Sequence, residues 1–405
     1  MSDTTCDVAI IGAGTAGAAA ALFCARRGMD AVCVERRPLE EAGAHWINGV
    51  PGACFEEAGI ALPQAPELLA HGVDFHLVAG FGPERVVVRD HDLMEVDMRL
   101  LVQRLQQAAR EAGARLQGST RVDAIDYDGL QTSGGTIRAR WYIDASGLAG
   151  ADLLGAPRPA PSDICTAAQA VHHVEDRNQA GAFFEEHGVQ PGQTLCFSGI
   201  EGGYSILNLR LDDDHMSILT GSIPAEGYRS GRAILRDFVE DTPWVGEQLF
   251  GGARAIPLGQ PHRRLQRGNV AALGDAAGQV FSAHGSGIGA GLIAARILAD
   301  ALADGRDLAG YERAWNQRFR SLYTSADVFR RFSQSLDIRD LQRLMRSGLM
   351  DAELAKSALE QRMPKLAGTR ALSKLAALAG SPRFAIRLAP LSAKSALAAL
   401  RSDRR

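Results

Sequence analysis

The sequence predicts an α/β fold in which one parallel-sheet domain is split by an inserted, mostly antiparallel β-sheet and followed by a C-terminal helical region. Three observations carry this. A β-type run, a glycine-rich turn, a helix and a second β-type run follow one another between Asp7 and Glu35. A second glycine-studded segment appears far downstream, between Gly274 and Gly291. Between the two, the pattern changes to short alternating segments separated by turn signals, which a continuous run of βαβ units does not produce.

Taken in order, Asp7 to Ile11 are apolar and β-prone, Gly12 to Gly17 are the turn, Ala18 to Arg27 are strong helix formers, and Ala31 to Glu35 are a second strand. Pro38 to Gly59, rich in Gly, Pro and His, reads as a loop. A helix follows with Asp97 as N-cap and Met98, Leu101, Val102, Leu105 and Ala109 on one face. Asp128-Gly129 and Ser133-Gly134-Gly135 mark turns before a strand ending Trp141-Tyr142-Ile143-Asp144. From about Gly150 to Pro261 the alternation predicts the inserted sheet, with strands at Leu195 to Phe197, Tyr204 to Leu211 and His215 to Thr220. The strand Asn269 to Leu273 and a helix from Gly285 to Leu302 return to α/β character. Beyond them Tyr311, Trp315, Phe319 and Leu322 recur at helical spacing and are expected in the core.

Gly12-Ala13-Gly14-Thr15-Ala16-Gly17 lies between a strand and a helix. In that context Gly12 makes the tight turn, Gly14 admits a pyrophosphate, and Gly17 lets helix and strand pack closely. The phosphates then meet the helix N-terminus, opened by Thr15 and Ala16, whose free N–H groups and dipole favour an anion. Glu35 stands about 20 residues on, where a carboxylate accepts hydrogen bonds from an adenosine ribose, and Arg36 follows it. On these residues alone, NAD and FAD remain alternatives.

Leu273-Gly274-Asp275-Ala276-Ala277-Gly278 follows a predicted strand, and Gly285-Ser286-Gly287-Ile288-Gly289-Ala290-Gly291 opens a helix. With Asp144-Ala145-Ser146-Gly147 between them and the first glycine turn, these segments resemble, in order from Asp7 to about Leu302, the FAD-binding elements of a superfamily. Its members are flavin aromatic hydroxylases, flavin-dependent halogenases and geranylgeranyl reductases. The resemblance implies noncovalent FAD in a split Rossmann-like domain (1–150 and 262–305), a substrate-binding sheet domain (151–261) and a C-terminal helical region (306–405). It implies that Asp275 hydrogen-bonds the ribityl chain, that the backbone near Gly287 and Ile288 faces the flavin pyrimidine edge, and that Arg99 and the Gly147 turn approach the cofactor. Backbone around Val122 is expected to hold the adenine. A helix N-terminus at the pyrimidine edge stabilises the charge that accumulates there on reduction. NAD(P)H is the implied transient electron donor.

The same resemblance bears on the reaction. Halogenases depend on a lysine and on a WxWxIP segment, and here the lysines are Lys356, Lys365, Lys374 and Lys394, all C-terminal, with no such segment. The leading expectation is a monooxygenase that hydroxylates an aromatic group, free or on a carrier or protein, through a flavin C4a-hydroperoxide. The alternative is a reductase of an isoprenoid or quinone-like lipid. Gly49 to Ile60 and Gly274 to Gly291 resemble geranylgeranyl reductases, although Gly203-Tyr204-Ser205-Ile206-Leu207-Asn208-Leu209 replaces their YxWxFP-type segment. Halogenation ranks third, and a maturation partner that recognises one protein is a further reading.

His284 and His45 are the catalytic candidates. His284 precedes the glycine helix, where an imidazole with an ordinary pKa of about 6.5 shuttles a proton at neutral pH; a loop histidine bonded to backbone is the competing reading. His45 with Trp46 sits in the loop that passes the isoalloxazine ring in the resembling families, against a solvent-exposed alternative. The adjacent His172 and His173 point to opposite faces of a strand, so no metal site is expected.

The chain of 405 residues, 46% hydrophobic and 22% charged, has an ordinary globular composition. With no apolar run of about 18 residues and a Met-Ser-Asp start, it is expected in the cytoplasm. A net charge of −3 argues against a general nucleic-acid binder, and the six cysteines lack CxxC spacing, so buried free thiols are expected. From Lys365 to Arg405, nine basic residues face Asp403 alone. Leu372, Leu375 and Leu378 with Lys374, Arg383 and Arg387 suit either contact with a membrane surface or acidic partner, or a solvated helix capping the body.

Overall fold

The computed structural model describes residues 3–305, 307–364, 380 and 382–390. β1 (Thr4–Ile11), α1 (Thr15–Arg26) and β2 (Ala31–Val34) form the βαβ unit, the strands pairing in parallel with Val8 opposite Ala31 and Ile11 opposite Val34. Ala18 to Ala21 of α1 are fully buried on all sides of the helix, because small side chains let it lie close to the sheet and to the helices beside it.

The stretch expected as loop contains β3 (Ile47–Pro51) and α2 (Gly52–Ala58). β4 (Leu68–His71), β5 (Phe75–Ala79), β6 (Arg85–Val88) and β7 (Leu93–Asp97) follow, and β7 pairs with both β3 and β4 in a small antiparallel sheet. The strand character of β3 comes from that distant partner, which local composition does not signal. Asp97 caps α3 (Met98–Glu111) by accepting the Arg99 N–H at 2.9 Å, and the apolar face expected from Met98 to Ala109 is buried. β8 (Arg115–Gln117), β9 (Val122–Asp126), β10 (Gly129–Thr132) and β11 (Gly135–Asp144) close the segment, with β11 parallel to β1.

The second sheet is built from β12 (Ile164–Val174), β13 (Thr194–Ser198), β14 (Ile206–Asp212), β15 (His215–Ser222) and β16 (Val245–Pro257), with α4 (Arg177–Glu186) and α5 (Gly231–Glu240) packed beside them. Its order is β16-β12-β15-β14-β13-β5-β6, so the sheet placed at 151–261 takes two strands from residues 75–88. β13 would otherwise present an unpaired edge, and β5 covers it in parallel, Leu77 lying opposite Cys196. Pairing between distant segments leaves no trace in local periodicity, which is why the sequence boundary falls short.

β17 (Gln266–Arg267) and β18 (Val270–Ala272) return the chain to the first sheet, ordered β17-β18-β11-β1-β2-β8, and α6 (Ile288–Ala303) packs across α1. α7 (Asp307–Gln334), α8 (Ile338–Arg346) and α9 (Ala352–Leu359) follow, then a helix over 382–390. Tyr311, Trp315, Phe319 and Leu322 are in the core as their spacing predicts. Arg330 of α7, fully buried, pairs with Asp327 at 2.5 Å and Asp163 at 2.8 Å, tying the helix to the start of β12.

Arg383 and Arg387, given two readings above, both pair with Asp340 of α8 and so hold the 382–390 helix on the body. Leu372, Lys374, Leu375 and Leu378 lie outside the described residues. Among the described residues no helix is long and apolar enough to cross a membrane, and no cluster of His, Cys, Asp and Glu is arranged to hold a metal. All six cysteines are free thiols, and burial pushes Cys54, Cys165 and Cys196 up to about 12.

Candidate functional site

Two helices begin at one cleft between the sheets. Gly14 and Gly287 stand at the N-cap positions of α1 and α6, and neither N-terminus has a side-chain cap. Uncapped N–H groups need partners, and paired dipoles directed at one cleft make it a site for anionic or electron-rich groups. Gly12, at φ +96°, makes the turn before α1, and a Cβ there would lie 2.5 Å from the Ala145 carbonyl oxygen. The Asp144-Ala145-Ser146-Gly147 segment is thereby the floor under the first glycine turn. Asp144 itself is buried and accepts from Ser146 N, Ser146 Oγ and Leu153 N, so its role is to shape that turn. Gly147 is left-handed at φ +84° with open space beside it.

Glu35 is buried at the end of β2, where it accepts Ala13 N at 3.0 Å and Arg37 N at 3.2 Å. Arg36 is exposed beside it. Thr120 N donates to the Glu35 carbonyl, which places β9, beginning at Val122, next to that end of the cleft. Ala16 lies between Gly274 and Gly291, whose added Cβ atoms would come within 3.1 and 3.3 Å of its side chain, so small residues set the approach of α1 to α6. Asp275 stands against Gly287, its Oδ1 3.2 Å from where a Cβ would project, and burial pushes its carboxyl above the usual range, with Arg254 opposing. Hydroxyl donors at that carboxylate would relieve the desolvation.

A partner that sequence reading missed anchors the second glycine motif. Gln279, fully buried, accepts Gly274 N through Oε1 at 2.8 Å and donates through Nε2 to the Tyr311 hydroxyl at 2.8 Å, which donates to Ala272 O at 3.0 Å. Such a satisfied buried chain fixes the motif on α7.

From the α6 end of the cleft a cavity of about 390 Å³ runs toward α8 and α9. Trp46, Phe281, His284 and Gly285 line it, together with Leu344 of α8 and Leu354 of α9. Arg362 is the only lining side chain with a permanent charge among the described residues. Trp46, rather than its neighbour His45, lines this cavity; His45 is partly buried with Nε2 lacking a partner. Tyr204, named in the sequence only as a replacement, has its hydroxyl 3.5 Å from the Cβ position of Gly285, and burial pushes its pKa well above the phenol range.

His284 reaches the cavity with Nε2 buried and unpartnered, its ring 5.1 Å from that of Phe281. Burial pushes its pKa down to about 4, against a smaller opposing effect of neighbouring backbone. The unfolded chain therefore takes up a proton near pH 6.5 that the folded protein refuses until about pH 4. Unfolding measurements should show a stability component that is present above pH 6.5 and is lost as the pH falls toward 4, with a slope of up to about 1.4 kcal/mol per pH unit. That component should vanish in His284→Asn; an unchanged slope in the variant would contradict the assignment.

Arg99 pairs with Asp97, Nη2 to Oδ2 at 2.6 Å, and its guanidinium lies 3.6 Å over the Phe250 ring. The Lys356 ammonium, on α9, donates to Asp90 O.

Residues 7–77 match the family model of an FAD binding domain. A protein of Methanopyrus kandleri named digeranylgeranylglycerophospholipid reductase 1 is 26% identical over 373 residues, which cover 84% of this chain and 94% of that protein. A geranylgeranyl bacteriochlorophyll reductase-like structure from Thermoplasma acidophilum superposes with TM-score 0.74 at 17% identity, covering 96% of this chain and all of that one. p-Nitrophenol 4-monooxygenase from Pseudomonas putida superposes with TM-score 0.62 at 16% identity, covering 90% and 100%. The two structural likenesses are likenesses of fold.

Proposed function

We propose that the chain, an FAD-dependent oxidoreductase, belongs to the superfamily that unites flavin aromatic hydroxylases, flavin halogenases and geranylgeranyl reductases, and that it reduces isolated carbon–carbon double bonds in an isoprenoid lipid chain. The observation that carries this reading is the cavity of about 390 Å³ whose lining, among the described residues, holds one permanent charge, Arg362. Its size lies within the range of small-molecule sites, and its walls match a hydrocarbon. Aromatic hydroxylation, the leading expectation from the motifs, gives way to the alternative because relatives found by sequence across most of the chain are named as lipid reductases.

The residues present fit FAD. The N-terminus of α1 would take the pyrophosphate, Glu35 the adenosine ribose, Asp275 the ribityl chain and the N-terminus of α6 the pyrimidine edge. When bound, FAD supplies the electron pair, delivered as hydride to one alkene carbon; the other carbon takes a proton, and the π bond becomes two C–H bonds. Phe281, Ile256 and Leu322 hold the chain against the cleft and exclude water. Tyr204, whose burial keeps it protonated, is the group placed to hold that proton, while His284 stays neutral above about pH 4. NAD(P)H as the source of electrons belongs to this proposal.

Enzyme reduced with dithionite under argon and given a detergent-dispersed geranylgeranyl lipid should yield products heavier by about 2 Da per double bond in H2O and by about 4 Da in D2O, because dithionite supplies electrons only and both added hydrogens then come from solvent. Product that forms only in air, with oxygen incorporated, would return the reading to hydroxylation.

A further inference from the structure

One face of β16 forms a wall shared by the cleft and the cavity. Phe250, Gly252, Arg254 and Ile256 alternate along it, paired in regular register with Val171, Gln169, Ala167 and Cys165 of β12. Phe250 lies under Arg99 at the N-terminus of α3. Gln169 Oε1 accepts Ile47 N at 2.5 Å, fastening the sheet to the segment that follows the first βαβ unit. Nothing stands within 4 Å of where a Cβ on Gly252 would project, and Ile256 lines the cavity.

Arg254 extends from this face across the cleft and donates to the Gly43 carbonyl oxygen. Gly43 is the residue against Gly14 at the start of α1, its Cα 3.4 Å from a Cβ built there. The guanidinium thus sits at the helix N-terminus where a pyrophosphate is expected. Its surroundings are mixed: Glu35 and Asp275 act on it from one side of the charge balance and Arg36 and Arg37 from the other. Among the described residues no carboxylate forms an ion pair with it. Arg99 differs here, because Asp97 already neutralises it through two hydrogen bonds. Unlike Arg99, Arg254 carries a charge that awaits a counter-ion.

We infer that Arg254 binds the FAD pyrophosphate, so that the cofactor site is completed by a residue of the substrate-lining sheet, the Gly43 carbonyl marking the position the phosphate oxygens take. The inference rests on the reading of the cleft as the FAD site. A guanidinium joins α1 in neutralising two phosphate charges, and planar N–H pairs match phosphate oxygens. It further follows that FAD holds the β16 face against the first sheet and so sets the cavity wall at Ile256.

The test is calorimetric titration of FAD, and separately ADP, into flavin-stripped full-length protein and its Arg254→Gln and Arg254→Lys forms. Arg254→Gln should weaken FAD about tenfold to a hundredfold and ADP by a comparable factor, with Arg254→Lys in between and weaker salt dependence in the neutral variant. Unchanged far-ultraviolet circular dichroism in the variants would show that the sheet is intact. Binding of both ligands within twofold of the unmodified protein overturns the inference, as does loss of FAD affinity with ADP unaffected, which would put the guanidinium on the flavin. If the unmodified chain binds neither ligand, the FAD reading falls first.

Discussion

Gly17→Ala should leave almost no folded protein able to take up FAD, whereas Gly14→Ala should fold normally and still lose the cofactor. A Cβ at Gly17 would lie 1.8 Å from the Gly12 carbonyl oxygen and 3.0 Å from its carbon, a clash between backbone segments that no rotamer change relieves. Separating α1 from the turn would disturb the tightly packed core around Ala18 to Ala21, and a loss of about 3 kcal/mol or more is expected. At Gly14 the same methyl meets nothing closer than Gly43 Cα at 3.4 Å, an ordinary contact. It would stand in the passage beside the α1 N-terminus, so the urea midpoint should stay near that of the unmodified chain while FAD affinity falls about tenfold or more. Equal stability of the two variants would refute the packing role of Gly17, and normal FAD affinity of Gly14→Ala would refute the phosphate passage.

Ala355→Trp should abolish turnover of long isoprenoid chains and spare short ones. Ala355 is buried and lines the cavity, in the cluster with Val86, Leu344 and Met350. An indole there fills cavity volume that a long chain needs and a short one does not. Overpacking is expected to cost about 1–3 kcal/mol of stability. Reduction of a twenty-carbon chain should fall about a hundredfold, equivalent to about 2.7 kcal/mol in the barrier, with a ten-carbon prenyl alcohol little affected and FAD binding unchanged. Undiminished turnover of the long chain would mean that the cavity is not where it lies.

Local signals account for what could be read from the chain alone. The order strand, glycine turn, helix and strand from Thr4 to Val34 follows from side-chain periodicity and from the need for Gly at positions 12 and 17. The Asp97 cap, the buried face of α3 and the core stripe from Tyr311 to Leu322 are likewise properties of a few residues and their spacing. The motif order also led to the superfamily. The departure at Gly203 to Leu209 points away from lipid reduction when read as sequence, whereas in the fold Tyr204 and Ile206 help to line the cavity.

The sequence by itself thus determined the FAD-binding frame, because a nucleotide site at a helix N-terminus is made by neighbours in the chain whose spacing is set by backbone geometry. Tertiary structure alone decided the rest. It placed β5 and β6 on the edge of the second sheet, turned Trp46 rather than His45 to the cavity, set Gln279 beneath Gly274, and carried Arg254 across to Gly43. Each of these depends on contacts between residues far apart in the chain, and such contacts are chosen by the packing of whole elements, which no local period or turn encodes.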